Sequence, residues 1–172
     1  MELEGKKAVI FIEEQFNDHE FLYPYYRLLE AGVEIVLASP LKGKEYKGKY
    51  GITAISSLDS KSLDADMFDL LIIPGGFAPD FMRRDKFMVD FVSEMDKKKK
   101  IIASICHGGW MLVSGKVLNK RKATSFFGIK DDMINAGAIW VDEEVVKDNN
   151  LITSRTPADL PTFMRTIIES LR

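Results

Sequence analysis

The chain's single cysteine stands in the run Ser104-Ile105-Cys106-His107-Gly108-Gly109. An apolar stretch over residues 101–105 leads into it, and a helix-like stretch from Trp110 to about Ser114 follows. A thiol at such a junction reads as a nucleophile elbow, in which a sharp strand-to-helix turn presents the side chain above the sheet. Gly108 and Gly109 remove side chains that would crowd the turn. The start of the next helix favours the thiolate through its dipole and free N–H groups. The chemistry would be attack of sulfur on an electrophilic carbon. The competing reading is a buried structural cysteine, a frequent fate of free thiols. Neighbours on a sharp turn are expected to point apart. His107 is therefore better placed as an acid or base on a bound substrate than as the base for its own neighbour, and its competing reading is a packing residue.

Other residues could complete such a site. Gly75-Gly76 follows an apolar run ending in Pro74, and a turn there could aim backbone N–H groups at a developing oxyanion near Cys106; the bland reading is an ordinary strand-to-helix turn. Glu13, Glu14 and Glu20 crowd the end of the first apolar run. An ionised carboxylate beside Cys106 would raise the thiol pKa, whereas a protonated one would donate a hydrogen bond to the thiolate. Glu20, at the start of an apolar helix, is the better candidate, and Glu13 and Glu14 read as solvated loop charges. His19 reads as a bland loop residue. Lys97–Lys100 reads as a solvated helix end. Phe and Met residues at helical spacing read as core. With one Cys and two His, no disulfide framework, Cys-based zinc cage or imidazole metal site is expected. No G-x-G-x-x-G or Walker motif supports a nucleotide site.

The elements that must position these residues follow from periodicity. Apolar runs at 8–12, 33–38, 70–74 and 101–105 have the length and β-branched content of strands buried on both faces. Helical spacing marks 20–31, with Asp18 as N-cap and Gly32 at its end, then 85–97 and 157–171. A turn between short edge strands is expected over 42–50, a short strand near 123–125, a helical turn at 131–135, and a hairpin of strands 143–147 and 151–154. Alternating strands and helices predict an α/β sandwich with a mostly parallel sheet, in one domain spanning 1–172. In such sheets, sites form at the carboxyl ends of strands, which selects 13–20, 75–80 and 106–109. Twenty-four basic and 26 acidic residues leave no field directed at nucleic acid or anionic membrane. The charged N-terminus lacks a signal-peptide core, and no apolar run approaches the ~20 residues of a membrane helix. A cytoplasmic protein with a reduced thiol is the expectation.

Five ordered stretches carry a resemblance: Glu20-Phe21-Leu22-Tyr23-Pro24-Tyr25, Ile73-Pro74-Gly75-Gly76, Ala103-Ser104-Ile105-Cys106-His107-Gly108, Gly128 to Gly137, and Ser154-Arg155-Thr156-Pro157-Ala158-Asp159-Leu160. On these the sequence resembles the PfpI intracellular-protease family. That family lies within the superfamily of class I glutamine amidotransferase-like folds, which also holds the parkinsonism-associated protein deglycase. The resemblance implies a flavodoxin-like three-layer sandwich and homo-oligomers, dimers or hexamers built from them. It implies Cys106 as nucleophile, Glu20 as the carboxyl beside it, and the backbone N–H groups of Gly76 and His107 as the oxyanion site. It also implies that an acid from a neighbouring subunit orients His107, at the position held here by Asp80. Three positions depart from the PfpI pattern: Asp80 replaces Glu, Asn17 replaces an acidic residue, and Gly109 stands where many relatives have Pro.

Three functions follow. The leading expectation is a cysteine hydrolase acting on small peptides or amides, with Cys106 attacking a carbonyl and His107 moving protons. The alternative is a cofactor-independent glyoxalase or deglycase, in which Cys106 adds to a 2-oxoaldehyde and Glu20 or His107 shuttles the proton. The non-enzymatic reading is a redox-sensing or chaperone-like stress protein, with Cys106 oxidised to a sulfinic acid near Glu20.

Overall fold

The computed structural model describes residues 2–172. In chain order it runs β1 (Lys7–Phe11), α1 (Asp18–Ala31), β2 (Glu34–Ser39), β3 (Glu45–Lys47), β4 (Thr53–Ile55), β5 (Leu58–Asp59), β6 (Leu70–Ile73), α2 (Ala78–Met82) and α3 (Lys86–Lys97). It continues with β7 (Ile101–Ile105), α4 (Gly109–Ser114), β8 (Lys122–Ala123), α5 (Lys130–Asn135), β9 (Ile139–Trp140), β10 (Val145–Asp148), β11 (Leu151–Ser154) and α6 (Leu160–Leu171).

Seven strands form one sheet in the order β10-β11-β7-β6-β1-β2-β5, parallel throughout except for the β10–β11 hairpin. The apolar runs account for this centre. Val9, Ile10, Leu71, Ile72, Ile102 and Ala103 are fully buried, as strands covered on both faces require. Helices α1 and α6 pack on one face, and α3 and α4 on the other, giving the expected flavodoxin-like three-layer sandwich. No helix among the described residues is long and apolar enough to cross a membrane.

The expected strands and long helices are present with shifted ends, but the span 42–50, expected as a turn between edge strands, itself contains β3, and the turn to β4 follows at 48–52. The second strand starts at Glu34, and β6 stops at Ile73, before Pro74. The hairpin strand starts at Val145, and the strand expected over 123–125 is Lys122–Ala123. The last helix opens with a 3-10 turn at Pro157–Asp159 before α6 begins. The first helix is capped by Asn17, not Asp18: the Asn17 side chain accepts from the His19 and Glu20 N–H groups. Asp18 is instead buried, and its carboxylate accepts from the Tyr50 and Ile52 N–H groups at 2.8 Å each. It thereby ties the loop between β3 and β4 to the head of α1.

Candidate active site

The carboxyl ends of β1, β6 and β7 lie side by side in the sheet, so the loops that leave them meet. An isolated antiparallel bridge pairs Phe16 with Gly76, joining the first two loops directly. The Asn17 N–H donates to the Gly75 carbonyl, and the Phe77 N–H to that of Gln15. Gly76 takes φ +77, and the Gln15 carbonyl and Asn17 nitrogen sit where a Cβ would go; only glycine fits this crossing.

Cys106 closes the arrangement from β7. Its φ of 59 is left-handed, a conformation that costs a non-glycine residue roughly 1–3 kcal/mol and that the surrounding structure must hold. This is the elbow expected from the sequence. Gly75 lies against it: a Cβ there would stand 2.7 Å from Glu20 Oε2, 2.9 Å from Cys106 Cβ and 2.9 Å from the His107 nitrogen. Acid, thiol and backbone donor therefore converge on one point that must stay empty. A Cβ at Gly109 would meet the side-chain ends of Met133 and Ile129, which could give way, so packing favours a small residue there without demanding glycine.

Glu20 is fully buried. Its Oε2 accepts from the Gly75 N–H at 2.7 Å, and its Oε1 is buried without a hydrogen-bond partner of ordinary geometry. Burial raises the carboxyl pKa to about 7, against the lowering influence of the Gly75 N–H, the Cys106 thiol and the Lys49 charge. The thiol, only 8% exposed, is pushed up to about 12 by burial and by the negative charge of Glu20, while the N–H groups of His107 and Gly76 pull the other way. The two groups thus compete for one proton. When it resides on Glu20, the like charge disappears and the two N–H groups face a thiolate.

His107 does not point away from its neighbour, contrary to the sequence expectation. Its Nδ1 lies 3.4 Å from Cys106 Sγ. The turn at Cys106–Gly108 is 3-10, and the left-handed Cys106 swings the two side chains together. The imidazole stacks on Phe126 with ring centres 4.9 Å apart and meets the edge of Trp110 at 5.2 Å. Burial, with the Lys49 charge, lowers its pKa and so favours the neutral imidazole.

Two further placements differ from the sequence reading or stand apart from the thiol. Glu13 is buried, not solvated: its carboxyl accepts from the Glu14 N–H at 2.9 Å, burial raises its pKa, and it lies outside the cavity around Cys106. Asp80 sits on α2 and pairs with Arg84, and it is not among the residues that line the cavity with His107. Its expected role needs a second subunit.

Cys106, His107, Glu20 and Gly76 share a cavity of about 230 Å³ with Asn17, Lys49, Tyr50, Phe77, Phe126, Thr156 and Pro157. The last two are held in place by Arg155, which donates to Asp159 and Asp142. Lys49 and Tyr50, within the span expected from the sequence to be only a turn, also line the cavity. Their signal is weak, because a Gly- and Lys-rich loop is the usual composition of a solvated turn. Phe126 left no periodic signal at all.

The DJ-1/PfpI family model matches residues 6–170. Deglycase PfpI of Pyrococcus furiosus is 42% identical over 166 residues, covering 96% of this chain and 99% of that one. Protein/nucleic acid deglycase 2 of Escherichia coli is 40% identical over 172 residues, covering 98% and 97%. The crystal structure of Drosophila melanogaster DJ-1beta superposes with a TM-score of 0.89 at 27% identity, covering 96% of this chain and 90% of that one. With a match of this length and identity, the chain belongs to the DJ-1/PfpI family.

Proposed function

We propose that this chain acts on small carbonyl compounds through the Cys106 thiolate, as a cofactor-independent glyoxalase or deglycase. It is an enzyme of the hydrolase or deglycase type. The observation that carries the finer reading is the thiol of Cys106 buried against the carboxyl of Glu20 inside a cavity of only about 230 Å³. That volume suits a substrate of a few heavy atoms and is below the usual ~300–1,000 Å³ of drug-sized sites.

The reaction balances without an external oxidant. Sulfur adds to the aldehyde carbon of a 2-oxoaldehyde, and Glu20 supplies the proton to the new alkoxide, whose charge the N–H groups of Gly76 and His107 stabilise. If the aldehyde has already been captured by an amine, the amine leaves with a proton as sulfur takes its place. The proton on the former aldehyde carbon then moves to the adjacent carbon through an enediol, with Glu20 or His107 as carrier. One carbon is oxidised by two electrons and its neighbour reduced by two. Water hydrolyses the resulting thioester to a 2-hydroxy acid and regenerates the thiol.

The cysteine hydrolase reading uses the same thiol and is favoured by the 3.4 Å contact with His107 Nδ1, which suits a base in acyl transfer. One comparison separates the two: methylglyoxal consumption and fluorogenic-peptide cleavage measured side by side, with Cys106→Ser as control. The expected result is conversion of methylglyoxal to lactate, lost in Cys106→Ser by at least ~10³-fold. Peptide cleavage without aldehyde turnover selects the hydrolase. Neither activity, with ready oxidation of Cys106 to the sulfinic acid, selects the redox-sensing reading.

A further inference from the structure

The cavity contains a cation to which the thiol chemistry above assigns no role. Lys49 lines the same 230 Å³ space as Cys106 and His107, and it supplies the ammonium group of that lining. Its Nζ stands over two of the rim aromatics, 5.7 Å from the Tyr50 ring centre and 5.1 Å from that of Phe77. Among the described residues no carboxylate forms an ion pair with it; the nearby Glu14 pairs instead with Lys44 at 3.1 Å. Its charge nevertheless reaches inward, lowering the pKa of both Glu20 and His107. The backbone is fixed at this point. The Lys49 N–H donates to the Phe16 carbonyl, and Asp18 holds the amides of Tyr50 and Ile52 on either side of the loop's tip.

A surface lysine is ordinarily solvated or ion-paired. This one is held on ring faces at the mouth of a reactive cavity, where cation–π attraction is worth little more than ~0.5–1 kcal/mol and yields readily to an anion. We propose that Lys49 is the carboxylate-binding residue of this site, so that among small carbonyl compounds the chain prefers those bearing a carboxylate, such as 2-oxoaldehyde adducts of free amino acids. The substrate part of this inference rests on the carbonyl chemistry proposed above; the binding part does not. A ligand carboxylate at the rim would pair with the ammonium while its carbonyl end reached Sγ. A neutral adduct would leave the cation on its rings.

The chain's single thiol allows a direct test. Iodoacetate and iodoacetamide are nearly isosteric and alkylate the same thiolate, so any effect of Lys49 on the Cys106 pKa cancels in the ratio of their rates. That ratio is to be measured by intact mass in the wild type, Lys49→Met and Lys49→Arg, at low and high ionic strength. The expected result is a ratio roughly tenfold lower in Lys49→Met, near the wild-type value in Lys49→Arg, and falling with salt in the wild type. An unchanged ratio in Lys49→Met overturns the proposal. In parallel, kcat/KM is measured for methylglyoxal adducts of alanine and of alaninamide, whose amine leaves with a proton as sulfur takes its place. A preference of about tenfold for the carboxylate, lost through KM in Lys49→Met, supports the substrate class. A Lys49-dependent alkylation ratio with no turnover of either adduct supports the carboxylate site and overturns the carbonyl reading. Turnover of both adducts with equal kcat/KM overturns the substrate preference and leaves the carbonyl reading standing.

Discussion

At the scale of single residues, the decisive feature is that the Glu20 carboxyl and the Cys106 thiol are buried together in one cavity. Burial favours the neutral form of each, and the charge on either raises the pKa of the other. The donors are arranged unequally. Glu20 receives the Gly75 N–H, whereas the N–H groups of Gly76 and His107 favour the thiolate. This has a consequence for stability. The folded-state pKa of Glu20, about 7, lies above the ordinary 4.5, so the folded protein binds more protons than the unfolded chain between those values. The stabilisation is fully present below pH 4.5 and is lost as pH rises through about 7. At roughly 1.4 kcal/mol per pH unit, the difference amounts to about 3 kcal/mol. Glu20→Gln removes the titration and should flatten this part of the profile, as read from urea midpoints at pH 4.5, 6 and 8. It should also lower the Cys106 pKa from its value of about 12, because the negative neighbour is gone, while turnover falls ~10²–10⁴-fold for want of a proton carrier. An unchanged pH profile of stability in Glu20→Gln would show that this carboxyl titrates normally.

At the scale of elements, the site depends on how the head of α1 is joined to a loop from the small β3–β4 hairpin. Asn17 caps the helix and aims Glu20 inward, and Asp18, one residue on, anchors the Lys49–Tyr50 loop. Each bond from a buried carboxylate to an amide is a charge-assisted one worth ~1.5–3 kcal/mol. Asp18→Ala should therefore destabilise the fold by about 2–4 kcal/mol in urea unfolding and speed hydrogen exchange at the amides of Tyr50 and Ile52. Asp18→Asn, which retains an acceptor, should recover about half of the loss. This junction also marks where the sequence stops being legible. The four central strands and the helices at 85–97 and 157–171 were readable because burial on both faces and 3.6-residue periodicity leave strong local patterns. The elbow at Cys106 was readable because a strand, a thiol and two glycines stand consecutively. Asp18 was read as the cap because both Asn17 and Asp18 have capping side chains, and only the three-dimensional position of the hairpin decides between them. Glu13 was read as solvated because nothing local announces that the chain folds over it. Lys49 enters the cavity through a contact between segments thirty residues apart, which no window of sequence records.

At the scale of the whole molecule, one chain supplies the thiol, the buried acid and the backbone donors, but among the described residues no acid hydrogen-bonds to His107. The imidazole is held by aromatic stacking on Phe126 and by its contact with the thiol through Nδ1, leaving Nε2 for another partner. Asp80 is on the surface of α2, half-exposed, and bound only to Arg84 one turn away. Exposed pairs of this kind contribute ~0–1 kcal/mol, so little holds the carboxylate there. In the inter-subunit arrangement that the family resemblance implies, Asp80 of the partner subunit would stand beside His107. A carboxylate there would favour the imidazolium and raise the His107 pKa, opposing the effects of burial and of Lys49. Asp80→Ala should then lower kcat and shift the His107 limb of the pH–rate profile downward, with Cys106 alkylation intact. The decisive measurement is complementation. Cys106→Ser subunits have Asp80 but no nucleophile, and Asp80→Ala subunits have the nucleophile but no acid. In a mixed dimer, one site combines the intact Cys106 with the partner's Asp80. Mixing the two variants after reversible dissociation should restore activity toward roughly a quarter of that of an equal number of wild-type sites, the share expected from random pairing of equal amounts. Activity no greater than the average of the two parent preparations would mean that His107 works without an acid from a second subunit.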